Sequence, residues 1–264
     1  MDLKLKDKAV LITGSTAGIG YAIAKALATE GAVVYINGRG QKRVDEAVGK
    51  IIAETGNQNI KGIAADFSNK TQIDNLLNEL PEVDILINNV GIFDPKEFKN
   101  ITDDEWFKFF EVNVLSGVRL SRVYFDKMLA KKWGRIIFIS SESAMQIPSE
   151  MIHYGMTKTA QIAVARGLAE LTAGTDVTVN TVLPGPTASE GAGEFIKAVA
   201  RDQGITDAEM EKEFFTSIRP TSLLKRFITP DEVASMVTYI ASPLSSATNG
   251  ATLRADGGVI KTAF

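Results

Sequence analysis

The chain has 264 residues, 45% hydrophobic and 23% charged, with a net charge of −3. That is ordinary for a globular protein able to bury a sizeable core, and the absence of a basic run argues against a nucleic-acid partner. There is no cysteine and one histidine, which excludes disulfides and thiolate chemistry and argues against a His-rich zinc site or a His-based triad, so no metal is expected.

The first eight residues are charged and lack the long apolar stretch of a signal peptide or membrane span. The expected location is the cytoplasm, with no membrane partner. Residues 9–13, Ala-Val-Leu-Ile-Thr, read as a short buried strand. A glycine turn follows, then a helical pattern over 20–29 with Ile23 and Leu27 at i, i+4 spacing. Gly31 closes that helix, 32–37 is a second apolar strand, and 41–54 is helical. Apolar runs at 59–64, 83–88, 135–140 and 175–182 supply four more strands, and helical patterns at 70–80, 103–131 and 152–172 separate them. A last helix, 230–241, precedes a final strand at 251–254. Strand and helix alternate throughout, the signature of a parallel sheet covered on both faces. One domain spanning 1–264 is expected. Only 189–225 breaks the rhythm, with two amphipathic patterns, 190–201 and 207–217, where one helix would suffice. An insertion after a strand in such a sheet usually lies over the carboxyl edge, where ligands bind. It reads as a substrate lid, with a fixed surface hairpin as the rival.

The turn Gly14-x-x-x-Gly18-x-Gly20 follows a strand and opens a helix. Glycines let the backbone approach a pyrophosphate, and the helix amino terminus offers free N–H groups and a positive dipole end. The three-residue first gap differs from the one-residue gap of the standard dinucleotide fingerprint. Tyr154 and Lys158 stand four residues apart, so one helix face can present both. A nearby cation favours a phenolate and lowers a tyrosine pKa from about 10, which makes Tyr154 a candidate proton donor and acceptor. Beside the glycine turn, this pair suggests hydride transfer between a nicotinamide and a carbonyl or alcohol. The second strand ends Asn37-Gly38-Arg39. An acidic residue there would accept a ribose 2′-OH. None is present, and Arg39 can pair with a 2′-phosphate instead. The expected cofactor is therefore NADP rather than NAD.

With these residues the chain resembles the short-chain dehydrogenase/reductases of the single-domain type. Residues 13–20 correspond to that family's T-G-x-x-x-G-x-G, and Asn88-Asn89-Val90-Gly91 to its N-N-A-G with Val in place of Ala. Asn113 falls in the long-helix Asn-Val segment, Ser141 lies thirteen residues before Tyr154, and Tyr154-x-x-x-Lys158 is the family signature. Pro184-Gly185 and Asp256-Gly257-Gly258 match two further blocks. The resemblance implies a doubly wound Rossmann sheet and an oxidoreductase acting on a ketone or secondary alcohol. It implies that Tyr154 exchanges a proton with the substrate oxygen and that Ser141 polarises that oxygen. Lys158 lowers the tyrosine pKa and binds the nicotinamide ribose, and Asn113 holds a water in the proton relay. It also implies a nucleotide site made of Gly14, Ser15, Thr16, Gly18, Ile19, Gly20, Arg39, Asp66, Phe67, Asn88, Gly91, Pro184, Gly185 and Thr187, with Tyr154 and Lys158 at the ribose. Many NADP-preferring relatives carry a basic residue at position 17, where this chain has Ala, so Arg39 is left as the principal determinant. The long helices should pair across two-fold axes into a homotetramer or homodimer. A rival of another class is a catalytically silent nucleotide-binding sensor that engages a partner; the intact Ser141, Tyr154 and Lys158 argue against it.

Other conspicuous residues receive blander readings. His153 points about 100° from Tyr154 on a helix and is expected at a pocket rim or interface. Trp106, Phe107, Phe109 and Phe110 read as packing or a subunit contact. Phe93, Ile147 and Met151 should converge beside Tyr154.

Overall fold

In the computed structural model, which describes residues 2–190, 193, 200–202 and 204–263, seven parallel strands form one sheet. They are β1 (Ala9–Ile12), β2 (Val33–Gly38), β3 (Ile60–Ala64), β4 (Ile85–Asn88), β5 (Trp133–Ile139), β6 (Asp176–Pro184) and β7 (Thr252–Ala255). Their order is β3-β2-β1-β4-β5-β6-β7. Strand β1 pairs with β2 on one side and β4 on the other, in register Leu11 to Tyr35 and Leu11 to Leu86. The chain therefore winds outward from β1 in both directions. The carboxyl ends of β1 and β4 flank the reversal point, where open α/β sheets bind ligands.

The described helices are α1 (Gly18–Thr29), α2 (Gln41–Thr55), α3 (Lys70–Glu79), α4 (Asp103–Phe110), α5 (Ser116–Lys131), α6 (Ile152–Glu170), α7 (Asp207–Glu213) and α8 (Pro230–Ala241). They cover both faces because β-strand side chains alternate between them. In β1, Val10 and Ile12 join a core with Ile23 and Leu27 of α1 and Val233 and Val237 of α8. Leu11 joins the opposite core with Leu76 of α3, Tyr124 of α5 and Ala165 of α6. Local chemistry sets several helix starts. Thr102, Thr206 and Thr229 each form a capping box with the glutamate three residues on, and Pro230 follows the last of these. Among the described residues no helix is long and apolar enough to cross a membrane.

The alternation read from the sequence is met strand for strand, with element ends shifted by one or two residues and two internal differences. Helix α1 begins at Gly18, two residues before the expected start. The single helix expected at 103–131 is α4 and α5 joined by a π turn, Glu111–Leu115. The second amphipathic pattern of the insertion is α7 followed by another π turn, Phe214–Ile218. Most of the first pattern, residues 191–192 and 194–199, lies outside the described residues.

Candidate active site

The glycine turn leaves β1 at the reversal point. Gly14 and Gly18 have φ of 62° and 58°, in the left-handed region that side chains other than glycine rarely tolerate. A Cβ on Gly20 would stand 2.4 Å from the Gly14 carbonyl oxygen, so the turn closes on itself only with glycine there. Ala17, the N-cap of α1, offers no side-chain cap, which leaves the first amides of the helix for an anion. Asn37 of β2 holds the turn from beneath. Its Oδ1 accepts from the Gly14 N–H at 3.1 Å, and its Nδ2 donates to the carbonyls of Ile63 and Ala65 at 3.1 and 3.3 Å. The cleft above, about 820 Å³, is lined by the turn, Gly38, Arg39, Arg43, Asp66, Phe67, Val90 and Gly91. A glycine cradle, an uncapped helix start and exposed guanidinium groups form a donor set that fits a dinucleotide.

Arg39 is exposed at the rim of this cleft. Asp66 accepts from the Ser68 N–H at 2.9 Å and the Ser68 hydroxyl at 2.8 Å. These bonds, the backbone one foremost, hold its carboxyl below the usual range, with a contribution from the Arg39 charge. Asp66 does not cap α3; Asn69 does. Arg43, one turn into α2, was not singled out in the sequence. It pairs with Glu190 at 3.0 Å, bridging α2 to the start of the insertion across the cleft. Its signal was its place four residues after Arg39.

Two expected cofactor residues are not at the surface of the cleft. Ser15 is fully buried. Its N–H bonds to the Asn37 carbonyl at 2.8 Å, and its hydroxyl donates to the Ile12 carbonyl at 2.7 Å, so it builds the turn from inside. Asn88 is also buried, its amide donating to Ser121 at 3.3 Å. The next residue, Asn89, lines the cleft and donates to the Thr13 and Gly14 carbonyls, both at 2.9 Å. Strand geometry alternates faces, so one residue further along reverses which asparagine faces the ligand side.

A second cavity of about 770 Å³ adjoins the first, and Ile19, Asn89, Gly91 and Ser189 line both. Ser141, Tyr154, Lys158, Pro184, Gly185 and Thr187 converge on it, together with Phe93, Met151, Phe214 and Arg219. The Phe93 ring meets Tyr154 edge-on, with centroids 6.4 Å apart. Ile147 packs over Gly155 behind this wall. Thr187 donates its hydroxyl to the Gly185 carbonyl at 2.8 Å.

Tyr154 is half-buried. Burial pushes its phenol well above the ordinary value; a hydrogen bond with Ser141 opposes this, the Glu142 carboxylate adds to it, and the Arg219 charge opposes it. Lys158 is almost wholly buried, and desolvation lowers its ammonium to about 8. The expected depression of the phenol by Lys158 is not met in this arrangement. The ammonium lies 5.6 Å from the Tyr154 ring centroid and donates to the Ile139 carbonyl at 3.0 Å and to Gln161 Oε1 at 3.2 Å.

Asn113 occupies the π turn and is fully buried. Its Oδ1 accepts from the Ile92 N–H at 2.7 Å, and its Nδ2 donates to the Ile92 carbonyl at 3.0 Å and to the Thr157 hydroxyl at 2.9 Å. Its main-chain carbonyl accepts from Gln161 Nε2 at 2.6 Å. A side-chain chain, Lys158 to Gln161 to Asn113, thus runs behind the tyrosine, and Asn113 locks the Ile92 loop to α6. His153 is buried rather than at a rim, stacked against Phe109 at 4.0 Å and edge-on to Trp106 at 5.9 Å; burial lowers its pKa. Phe107 is 73% exposed and carries none of this packing.

Comparison with known proteins agrees with this geometry. A short chain dehydrogenase family model matches residues 8–200. The chain is 48% identical over 264 residues to the oxidoreductase YvaG of Bacillus subtilis, covering 100% of both proteins. It is 32% identical to the 3-oxoacyl-[acyl-carrier-protein] reductase of Aquifex aeolicus, covering 98% of this chain and 100% of that protein. The crystal structure of L-sorbose reductase from Gluconobacter frateurii, complexed with NADPH and L-sorbose, superposes with a TM-score of 0.92 at 27% identity, covering 99% of this chain and 100% of that one. A parallel sheet with its glycine turn at the reversal point, and a Tyr-x-x-x-Lys helix beside it, meet a match over nearly the whole chain: the protein belongs to the short-chain dehydrogenase/reductase family and is an oxidoreductase acting on CH–OH groups.

Proposed function

We propose that this enzyme interconverts a ketone and a secondary alcohol, prefers NADPH, and uses Tyr154 as its general acid and base. The observation that carries the reading is the convergence of Tyr154, Ser141 and Lys158 on a cavity that shares a wall with the nucleotide cleft. When bound, the nicotinamide supplies the hydride or accepts it.

The chain's own residues do the rest. The amides that open α1 hold the pyrophosphate, and Arg39 and Arg43 hold the 2′-phosphate. Tyr154 gives its proton to the carbonyl oxygen in reduction and takes it back in oxidation. The Ser141 hydroxyl, which here donates to Glu142 Oε2, turns to bond the same oxygen where charge develops. Lys158 bonds the ribose. Gln161 and the Asn113 carbonyl steady the ammonium from behind. NADPH in the L-sorbose reductase complex supports the cofactor choice. We further propose that 189–225 is a substrate lid and that the enzyme is a cytoplasmic homotetramer or homodimer.

Tyr154→Phe tests the mechanism, because it removes the proton donor and keeps the ring. Turnover of any accepted ketone should fall by at least about 10²-fold, the scale of a general acid, while calorimetric NADPH affinity stays within about twofold. Near-parental turnover would remove Tyr154 from the mechanism.

A further inference from the structure

Immediately after Ser141, the chain buries a carboxylate that hydride transfer does not call for. Glu142 is 6% exposed, and a buried charge must be compensated. Its Oε2 accepts from the Ser141 hydroxyl at 2.5 Å, and its Oε1 accepts from Arg219 Nε at 3.1 Å. Arg219 arrives from the far end of the insertion, just after the π turn Phe214–Ile218, and is itself 8% exposed. Its Nη1 donates to Glu150 Oε1 at 3.2 Å and to the Ile218 carbonyl at 3.1 Å. One guanidinium therefore serves two carboxylates on the wall of the substrate cavity.

Among the described residues, the charged side chains lining that cavity are Glu142, Glu150, Lys158 and Arg219. Lys158 is tied to the Ile139 carbonyl and to Gln161. The Arg219 wall thus carries more negative than positive charge. A guanidinium holds carboxylates best through parallel N–H donors, and both Nε and Nη1 of Arg219 are already engaged. The two glutamates differ in freedom: the Glu142 side chain is 7% exposed, that of Glu150 43%. Glu142 is fixed by the fold, whereas Glu150 is the partner a substrate or a substitution could displace.

We propose that Glu142, Glu150 and Arg219 are specificity-determining residues that admit a neutral carbonyl compound bearing a hydroxyl group near the reacting carbon and reject its carboxylate counterpart. A hydroxyl donates to the glutamate oxygens without adding charge. A carboxylate meets two like charges around an arginine whose Nε and Nη1 are already engaged, and like-charge juxtaposition in a desolvated site discriminates strongly. This inference rests on the ketone–alcohol reading above and names its substrate class.

The test uses 4-hydroxy-2-butanone and acetoacetate, methyl ketones of one carbon skeleton that differ in ending in an alcohol or a carboxylate. Each is titrated calorimetrically into the enzyme saturated with NADP⁺, in which no hydride can reach the ketone. The hydroxyketone should bind at least about tenfold more tightly. Glu150→Gln and Glu150→Ala should each narrow that ratio at least about threefold by tightening acetoacetate, because both remove a like charge and the second also releases Arg219 Nη1. Equal or tighter acetoacetate binding by the parent enzyme overturns the inference. So does a ratio unchanged in both variants, or binding of neither ketone up to about 100 mM, weaker than any specific site. NADPH oxidation is followed in parallel. Absence of turnover with the binding ratio intact would overturn the ketone-reduction reading and leave the specificity inference standing.

Discussion

Lys158→Met isolates what the active-site ammonium costs the fold. The ordinary lysine value of 10.5 is lowered to about 8 in the native protein by burial. At about 1.36 kcal/mol per pH unit, that gap is a penalty of about 3 kcal/mol when the group is charged in both states. Below pH 8 both native and unfolded chains hold the proton, and the penalty is complete. Between about pH 8 and 10.5 the unfolded chain holds more protons than the native one, so stability rises with pH. From pH 7 to pH 9 this gives the parent about 1.3 kcal/mol, and Met cannot show it. The substitution also leaves the Ile139 carbonyl and Gln161 Oε1 without their donor, at about 1–3 kcal/mol each. That loss is independent of pH and shifts only the absolute stability. The assay is urea unfolding of parent and variant at fixed protein concentration, at pH 7, 8 and 9. Parent stability should gain on the variant by about 1.3 kcal/mol over the range. A difference that stays constant, or moves the other way, would show that Lys158 is not desolvated as its surroundings imply.

Arg39→Ala should weaken NADPH by about 1.5–3 kcal/mol, the worth of a hydrogen bond to a charged group, and leave NADH unchanged; Arg43→Ala should act in the same direction. Equal affinity of the parent for the two nucleotides would refute both. Phe107 and Leu171, 73% and 64% exposed near the ends of α4 and α6, should be covered in a symmetric oligomer; sedimentation showing only a 28.5 kDa species at micromolar concentration would contradict this. The 189–225 segment should exchange amide hydrogens faster than β6 until NADPH and a substrate analogue slow it. Core-like protection without ligand, or no change on adding it, would make the segment a fixed hairpin.

The fold was legible because its signals are periodic. Each strand is a short apolar run, and several helices carry their own punctuation, such as Thr229-Pro230 opening α8. Tyr154, Lys158 and Ser141 were legible because one helix turn and one strand end bring them together. The π turn at Glu111–Leu115 was not legible, since its apolar pattern continues that of a helix and only the packing of Asn113 against Ile92 and Thr157 reveals it. The facing of the Ser15 and Asn88 side chains was not legible for a different reason. A motif gives positions but not facing, and each of these two residues points into the fold. Glu142 and Arg219 are far apart in the chain, and nothing local in either signals the other.

Asn37 and Arg39 are two residues apart on β2 and its exit, yet they belong to mechanically separate devices. Asn37 clamps the phosphate turn through Gly14, Ile63 and Ala65, while Arg39 stands in solvent. On the proposed reading, the socket for the common part of a dinucleotide rests on the glycine turn and the Asn37 clamp, and Arg39, proposed to distinguish one dinucleotide from another, lies outside it. Exchange of Arg39 alone for an acidic residue should leave the turn's geometry untouched, whereas a side chain at Gly38 would put its Cβ 2.5 Å from Thr16 Cγ2. If Arg39 sets the nucleotide preference as proposed, that preference is open to revision by selection or by design without reopening the fold.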